Sequence, residues 1–140
     1  MTDEEIIALL GRPESDRLER KAALSGERVK KEVGQAICAF ANDLPNHRQP
    51  GLIVIGPSDD GSCAGTPIDD ALLRTLASLK DDGSILPFPS LVVQRRQLSH
   101  CEVAIILVQP SSAPPVRFQE RVWIRVGPRK DVATPEEGAS

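Results

Sequence analysis

The sequence predicts an α+β domain: a small mixed or antiparallel sheet packed against two main helices. Two segments, 27–40 and 69–80, carry apolar residues at helical spacing, with Val29, Val33, Ile37 and Phe40 in the first and Leu72, Leu73, Leu76 and Leu79 in the second. Short β-branched runs at 52–55, 91–98 and 102–109 lie between and after them. The chain has 140 residues, 40% apolar and 26% charged, which suits one unit with a buried core. That unit is expected over 1–130, with 131–140 as a linker or tail.

At the start, Thr2 and Glu5 form a capping box ahead of Ile6, Ile7, Leu9 and Leu10, and Gly11 and Pro13 end this short first helix. The charged stretch 14–21 has no helical period and reads as a strand ending near Leu24-Ser25-Gly26. The main helix follows at 27–40, and Asn42-Asp43-Leu44-Pro45-Asn46 closes it. Leu52-Ile53-Val54-Ile55, between Gly51 and Gly56, is a buried strand. Asp59-Asp60-Gly61-Ser62 then supplies turn residues, and a β-hairpin is expected there before Thr66.

After the second main helix, Pro87 and Pro89 impose an extended connection. The strand at 102–109 is almost continuously apolar, as a central strand covered on both faces would be. The last strand, 121–126, alternates. It is expected to place Val122, Ile124 and Val126 inward and Arg121, Trp123 and Arg125 outward.

Charge and cysteine usage narrow the function classes. The net charge is −3, but residues 17–31 hold six bases against two acids and residues 90–130 hold seven against two. The folded domain is therefore expected to have a cationic side. Cys38, Cys63 and Cys101 are odd in number and widely spaced, which argues against a disulfide framework and for reduced thiols. The acidic start and the absence of a long apolar run suggest a cytoplasmic chain with no membrane segment.

His100 and Cys101 are neighbours and would point to opposite faces of a strand, and His47 stands alone, so a zinc site is not expected. No cysteine has a visible activating partner, and no phosphate-binding loop for ATP is present.

The outward triple of the last strand is the main candidate for chemistry. An indole between two guanidinium groups can stack a base, worth about 1–3 kcal/mol, and neutralise the flanking phosphates. Arg95, Arg96, Lys21, Arg17, Lys30 and Lys31 would extend such a surface. The alternative is a solvated sheet face, with Trp123 packed under a loop or against a partner subunit.

Glu14-Ser15, Leu18-Glu19 and Lys21, then Ala39-Phe40-Ala41-Asn42, then Ile53-Val54-Ile55-Gly56 with Asp59-Asp60-Gly61 and Gly65, then Pro110-Ser111, Pro115-Val116 and Val122-Trp123-Ile124-Arg125-Val126-Gly127 follow one another in the chain. This ordered set resembles the Schlafen AlbA_2 domain family over almost the whole length. The resemblance implies a module that binds DNA or RNA, often at the N-terminus of longer bacterial regulators and ATPase-like proteins. A fused C-terminal domain and a homodimer are expected partners. In animal Schlafens the domain is part of a metal-dependent RNA-cleaving core.

On that resemblance, Glu14, Glu19 and Asp59, with Asp60 as the alternate, would hold Mg²⁺ or Mn²⁺, and Lys21 would stabilise charge on the phosphate. Five residues of straight strand would separate Glu14 and Glu19 by about 17 Å, so sharing a metal needs a turn at Ser15-Asp16. Otherwise Glu14 bonds locally and Glu19 pairs with Lys21 or Arg17. Three departures from the family stand out: a longer segment from Asp43 to Gly51, Arg20 in place of an aromatic, and Trp123 in place of a tyrosine.

The expected function is thus nucleic-acid binding through Arg95, Arg96, Arg121, Trp123, Arg125 and Lys21. A metal-dependent endoribonuclease using Glu14, Glu19, Asp59 and Lys21 is one alternative, and a protein-interaction module the other.

Overall fold

The structure is a computed structural model, and it describes residues 1–11, 17–44, 46, 48–58, 60–99, 101–127 and 129–133. Its elements in order are α1 (Asp3–Leu10), β1 (Leu18–Lys21), α2 (Gly26–Asn42), β2 (Gly51–Ile55), α3 (Asp70–Ser78), β3 (Ile85–Leu86), β4 (Leu91–Leu98), β5 (Cys101–Val108), β6 (Arg117–Phe118), β7 (Trp123–Val126) and β8 (Arg129–Val132). The α+β reading holds. The main sheet is mixed, in the order β1-β2-β5-β4, with β1 parallel to β2 and the other neighbours antiparallel. Two ribbons, β3-β6 and β7-β8, complete the fold.

Strand parity splits the core in two. Leu52, Val54, Val103 and Ile105 face α1, where Ile6 is fully buried against them with Leu18 and Leu98. Ile53, Ile55, Ala104, Ile106 and Val108 face the other way, onto Val33, Ile37 and Phe40 of α2 and Leu76 of α3. The sheet interior is therefore apolar on both sides, as the continuous run in β5 requires.

Caps follow the sequence. Thr2 Oγ1 accepts from the Glu5 N–H and Glu5 reaches back to the Thr2 N–H, while Asp69 caps α3 through the Leu72 N–H. Helix α2 comes close to its neighbours through glycine: a Cβ on Gly34 would overlap the Phe118 ring.

Several expectations change. The hairpin expected around Asp59–Thr66 is reduced to one isolated antiparallel bridge, Pro57 to Cys63, flanked by backbone bonds from the Ser58 N–H to the Ser62 carbonyl at 2.8 Å and from the Ala64 N–H to the Gly56 carbonyl at 2.9 Å, with no strand assigned to either arm among the described residues. Strand β8 was not legible, and it carries the fold past residue 130 to Val132.

The thiol expectation is corrected as well. The loop returns Cys63 to the start of β5, where it forms a disulfide with Cys101 at a Cα separation of 5.5 Å. Cys38 stays free and buried, and burial pushes its thiol up to about 11, so it remains protonated and unreactive. Alkylation of the unfolded, unreduced chain is expected to label Cys38 alone. Labelling of all three cysteines would contradict the pairing.

Candidate nucleic-acid interface

Strand β7 was expected to show solvent a cationic face. Its ribbon instead packs on α2 and reaches β1, so both faces are covered in its middle. Ile124 and Arg125 are both buried, Trp123 is half-buried against the α2-side core, and Val126 is exposed. Asn42, at the end of α2, holds this arrangement: its amide donates to the Val116 and Trp123 carbonyls at 2.9 and 2.7 Å and accepts from the Val116 N–H at 2.6 Å. Among the three residues assigned outward, only Arg121 is exposed.

Arg125 is buried because its counter-ion is. Glu19 and Arg125 are 3% and 2% exposed. Arg125 Nη1 donates to Glu19 Oε1 at 2.9 Å, and its Nη2 donates to the Leu18 carbonyl at 2.8 Å. The guanidinium lies over the Phe40 ring, 5.0 Å from its centroid. Lys130 of β8 donates to Glu19 Oε2, and Lys21 approaches the same oxygen at 3.7 Å while pairing with Glu32 at 3.4 Å. Burial alone would raise the Glu19 carboxyl, but the hydrogen bonds and charges of Lys130 and Arg125 outweigh it and hold the group below its ordinary value. The sequence reading missed Lys130 and Glu32. No local signal marks either, since the contacts join residues more than a hundred positions apart or on separate elements.

This geometry bears on the metal that the family resemblance implies. Glu14 and Asp59 lie outside the described residues. Glu19 is described, and both its oxygens are occupied by cations, which oppose a divalent ion by charge and by position. Asp60 accepts from the Ser62 N–H and hydroxyl within its own turn. Among the described residues, no group of three or more metal-ligating side chains comes together. The described donors do not fit a magnesium or manganese centre, and no catalytic step follows from them.

Arg95 and Arg96 occupy opposite faces of β4 and cannot share one surface. Arg95 donates to the Ile68 carbonyl at 2.9 Å and pairs with Asp70, whereas Arg96 binds Asp3 at 2.6 Å and the Met1 carbonyl at 3.0 Å. Arg129 pairs with Asp131. The cations with no acidic partner among the described residues include Arg28, Arg74 and Lys80, and a further four that lie on neighbouring elements: Lys30 and Lys31 on α2, Arg117 of β6, and Arg121 in the turn that follows.

The fold brings these four together. Gly34 rests against the Phe118 ring, and Lys30 and Lys31 lie one helical turn before it. Phe118 and Arg121 close a tight turn through reciprocal backbone bonds of 2.9 and 3.1 Å, with Gln119 and Glu120 at positive φ. Lys31, Arg117 and Arg121 are exposed and Lys30 half-exposed. Glu120, in the same turn, makes no ion pair with either arginine.

No curated protein matches the sequence. Among solved structures, DIP2311 of Corynebacterium diphtheriae superposes with a TM-score of 0.60 at 16% identity, over 93% of this chain and 26% of its own. The N-terminal domain of an ATP-dependent DNA helicase RecG-related protein from Nitrosomonas europaea superposes with a TM-score of 0.54 at 22% identity, over 79% of this chain and 73% of its own. Both likenesses concern the fold, and this chain spans about a quarter of the first protein's length. No described helix is long and apolar enough to cross a membrane. The Schlafen AlbA_2 family profile matches residues 14–134, nearly all of the chain, and the chain belongs to that family.

Proposed function

We propose that this chain is a nucleic-acid-binding module that holds a DNA or RNA backbone on the strip formed by Lys30, Lys31, Arg117 and Arg121. The observation that carries the reading is the packing of α2 on β6 and β7, which joins the two basic segments of an otherwise acidic chain. Elsewhere, Lys21, Arg95, Arg96, Arg125, Arg129 and Lys130 are each engaged by acids, and such pairs have little charge left for a polyanion. The four strip cations are not so engaged. Trp123, two residues beyond Arg121 and half-exposed, is the residue of the original triple that adds a stacking surface.

Support from relatives is coarser. The family and the domain from a DNA helicase-related protein both point to nucleic-acid association. The quarter-length match suggests one unit of a longer protein, whose other domains would set the target. The nuclease reading has no observation in its favour among the described residues.

The test is binding of a short, labelled single strand, DNA and RNA in parallel, followed by fluorescence anisotropy across a salt series. Each neutralised phosphate on a single strand contributes about −0.7 to the slope of log affinity against log salt, so four contacts give a slope of about −2.8. Absence of binding at low salt, or binding indifferent to salt, would overturn the proposal.

A further inference from the structure

Strand β4 ends the main sheet, and among the described residues no strand pairs with its outer edge. It pairs with β5 one residue to one from Leu91–Val108 to Leu98–Cys101, without a bulge. Just before it, the Gln109 N–H donates to the Ser90 carbonyl at 2.9 Å, so Ser90 faces β5. By antiparallel alternation Val92, Gln94, Arg96 and Leu98 also bond inward, and Leu91, Val93, Arg95 and Gln97 direct their backbone N–H and C=O outward. Among the described residues no backbone bond satisfies that outer row.

Native edges are usually guarded by shortness, proline, a bulge, charged side chains or a covering helix or loop. Strand β4 has eight residues, no internal proline and no bulge. Its two arginines are neutralised inside the chain, Arg95 by Asp70 and Arg96 by Asp3. Val92 is 49% exposed on this strand, and Phe88, 60% exposed, stands just ahead of it. The edge is thus long, regular, electrically quiet and bordered by apolar side chains.

We propose that a second copy of this chain pairs antiparallel along β4, about a two-fold axis perpendicular to the sheet at Gln94. Such an axis keeps each face of the sheet on its own side, so it must pass through a residue rather than between two. Centring on Arg95 or Arg96 would set that arginine against its own copy. Centring on Val93 would set Gln97 against Pro89 of the other copy, which has no N–H. Centring on Gln94 sets Leu91 against Gln97 and Val93 against Arg95, so every outward residue meets an outward residue and the whole row is satisfied. On the α1 side, Val92 then faces the aliphatic stem of Arg96. The resulting sheet is continuous across both copies, and the pairing is independent of the nucleic-acid reading.

The experiment uses the whole chain. Sedimentation at rising concentration is expected to show reversible association of the 15.1 kDa chain into a dimer. Mild oxidation is expected to cross-link Gln94→Cys, whose copies face each other across a close, non-hydrogen-bonded pair, and to leave Gln97→Cys largely uncross-linked. Val93→Pro removes an outward N–H without touching the β4-β5 ladder, and is expected to weaken the dimer about tenfold or more. If Val93→Pro fails to fold, the two cysteine variants decide alone. A monomer at every concentration, equal cross-linking of both cysteine variants, or a folded Val93→Pro that associates as well as the parent would overturn the proposal.

Discussion

Replacing Glu19 with glutamine is expected to cost about 3–5 kcal/mol of folding stability, the usual cost of leaving buried charges without their counter-ion. Arg125 is almost fully buried and Lys130 largely so, and both lose their acceptor charge in this variant. Against a typical stability of about 5–15 kcal/mol, that loss is large enough to read as a shifted denaturant midpoint. A cost below about 1 kcal/mol, as for an exposed pair, would show that the cluster is not the buried lock described. Adding Arg125→Met to Glu19→Gln is expected to recover part of the loss, because the stranded charge goes too.

The cluster also sets a pH dependence. The Glu19 carboxyl titrates below its ordinary value of 4.5 in the folded chain, so over that range the unfolded chain binds more protons. Its contribution is fully present above about 4.5 and is lost as pH falls through the lower folded value. Glu5 and Asp60 are lowered too, by hydrogen bonds from Thr2 and Ser62, and they weaken in the same direction. The difference in acid sensitivity between the parent and Glu19→Gln isolates the Glu19 share. The parent should be the steeper of the two.

Changing Lys30, Lys31, Arg117 and Arg121 together to alanine is expected to reduce affinity for a short single strand at low salt by about a hundredfold or more. Folding should change little, since these side chains are mostly exposed and make no ion pairs among the described residues. Arg74→Ala with Lys80→Ala, which removes two charges elsewhere, is the control. Those two cations are also exposed and unpaired among the described residues, but they lie on or just after α3. Equal losses per charge removed, four in the strip variant and two in the control, would mean that general charge, and not this strip, attracts the ligand.

What the sequence revealed depended on range. The Thr2–Glu5 box, the α2 stripe and the apolar run of β5 are local patterns, and each appears where its spacing predicts. The orientation of β7 was not local. Alternation of Trp123, Ile124, Arg125 and Val126 fits a solvent-facing strand, and fits equally a strand whose polar side chain meets a buried acid 106 positions earlier. Glu19 carried no sign of that partner, because a strand residue flanked by Leu18 and Arg20 reads the same whether it binds a metal, water or a guanidinium.

Strand β8 was illegible for a related reason. Arg129-Lys130-Asp131 has no apolar period, and its order comes from pairing with β7 and from Lys130 reaching Glu19. The Cys63–Cys101 bond likewise arises from a loop that doubles back on itself, which spacing along the chain does not encode.

The strip itself is testable residue by residue, by following backbone amide signals of the isotope-labelled chain as a short single strand is added. Shifts are expected to gather on the first half of α2 and on the turn from Arg117 to Arg121, with α1 and β4 unmoved. Shifts centred on α1 or β4, or none at a concentration where binding is seen by anisotropy, would contradict that placement.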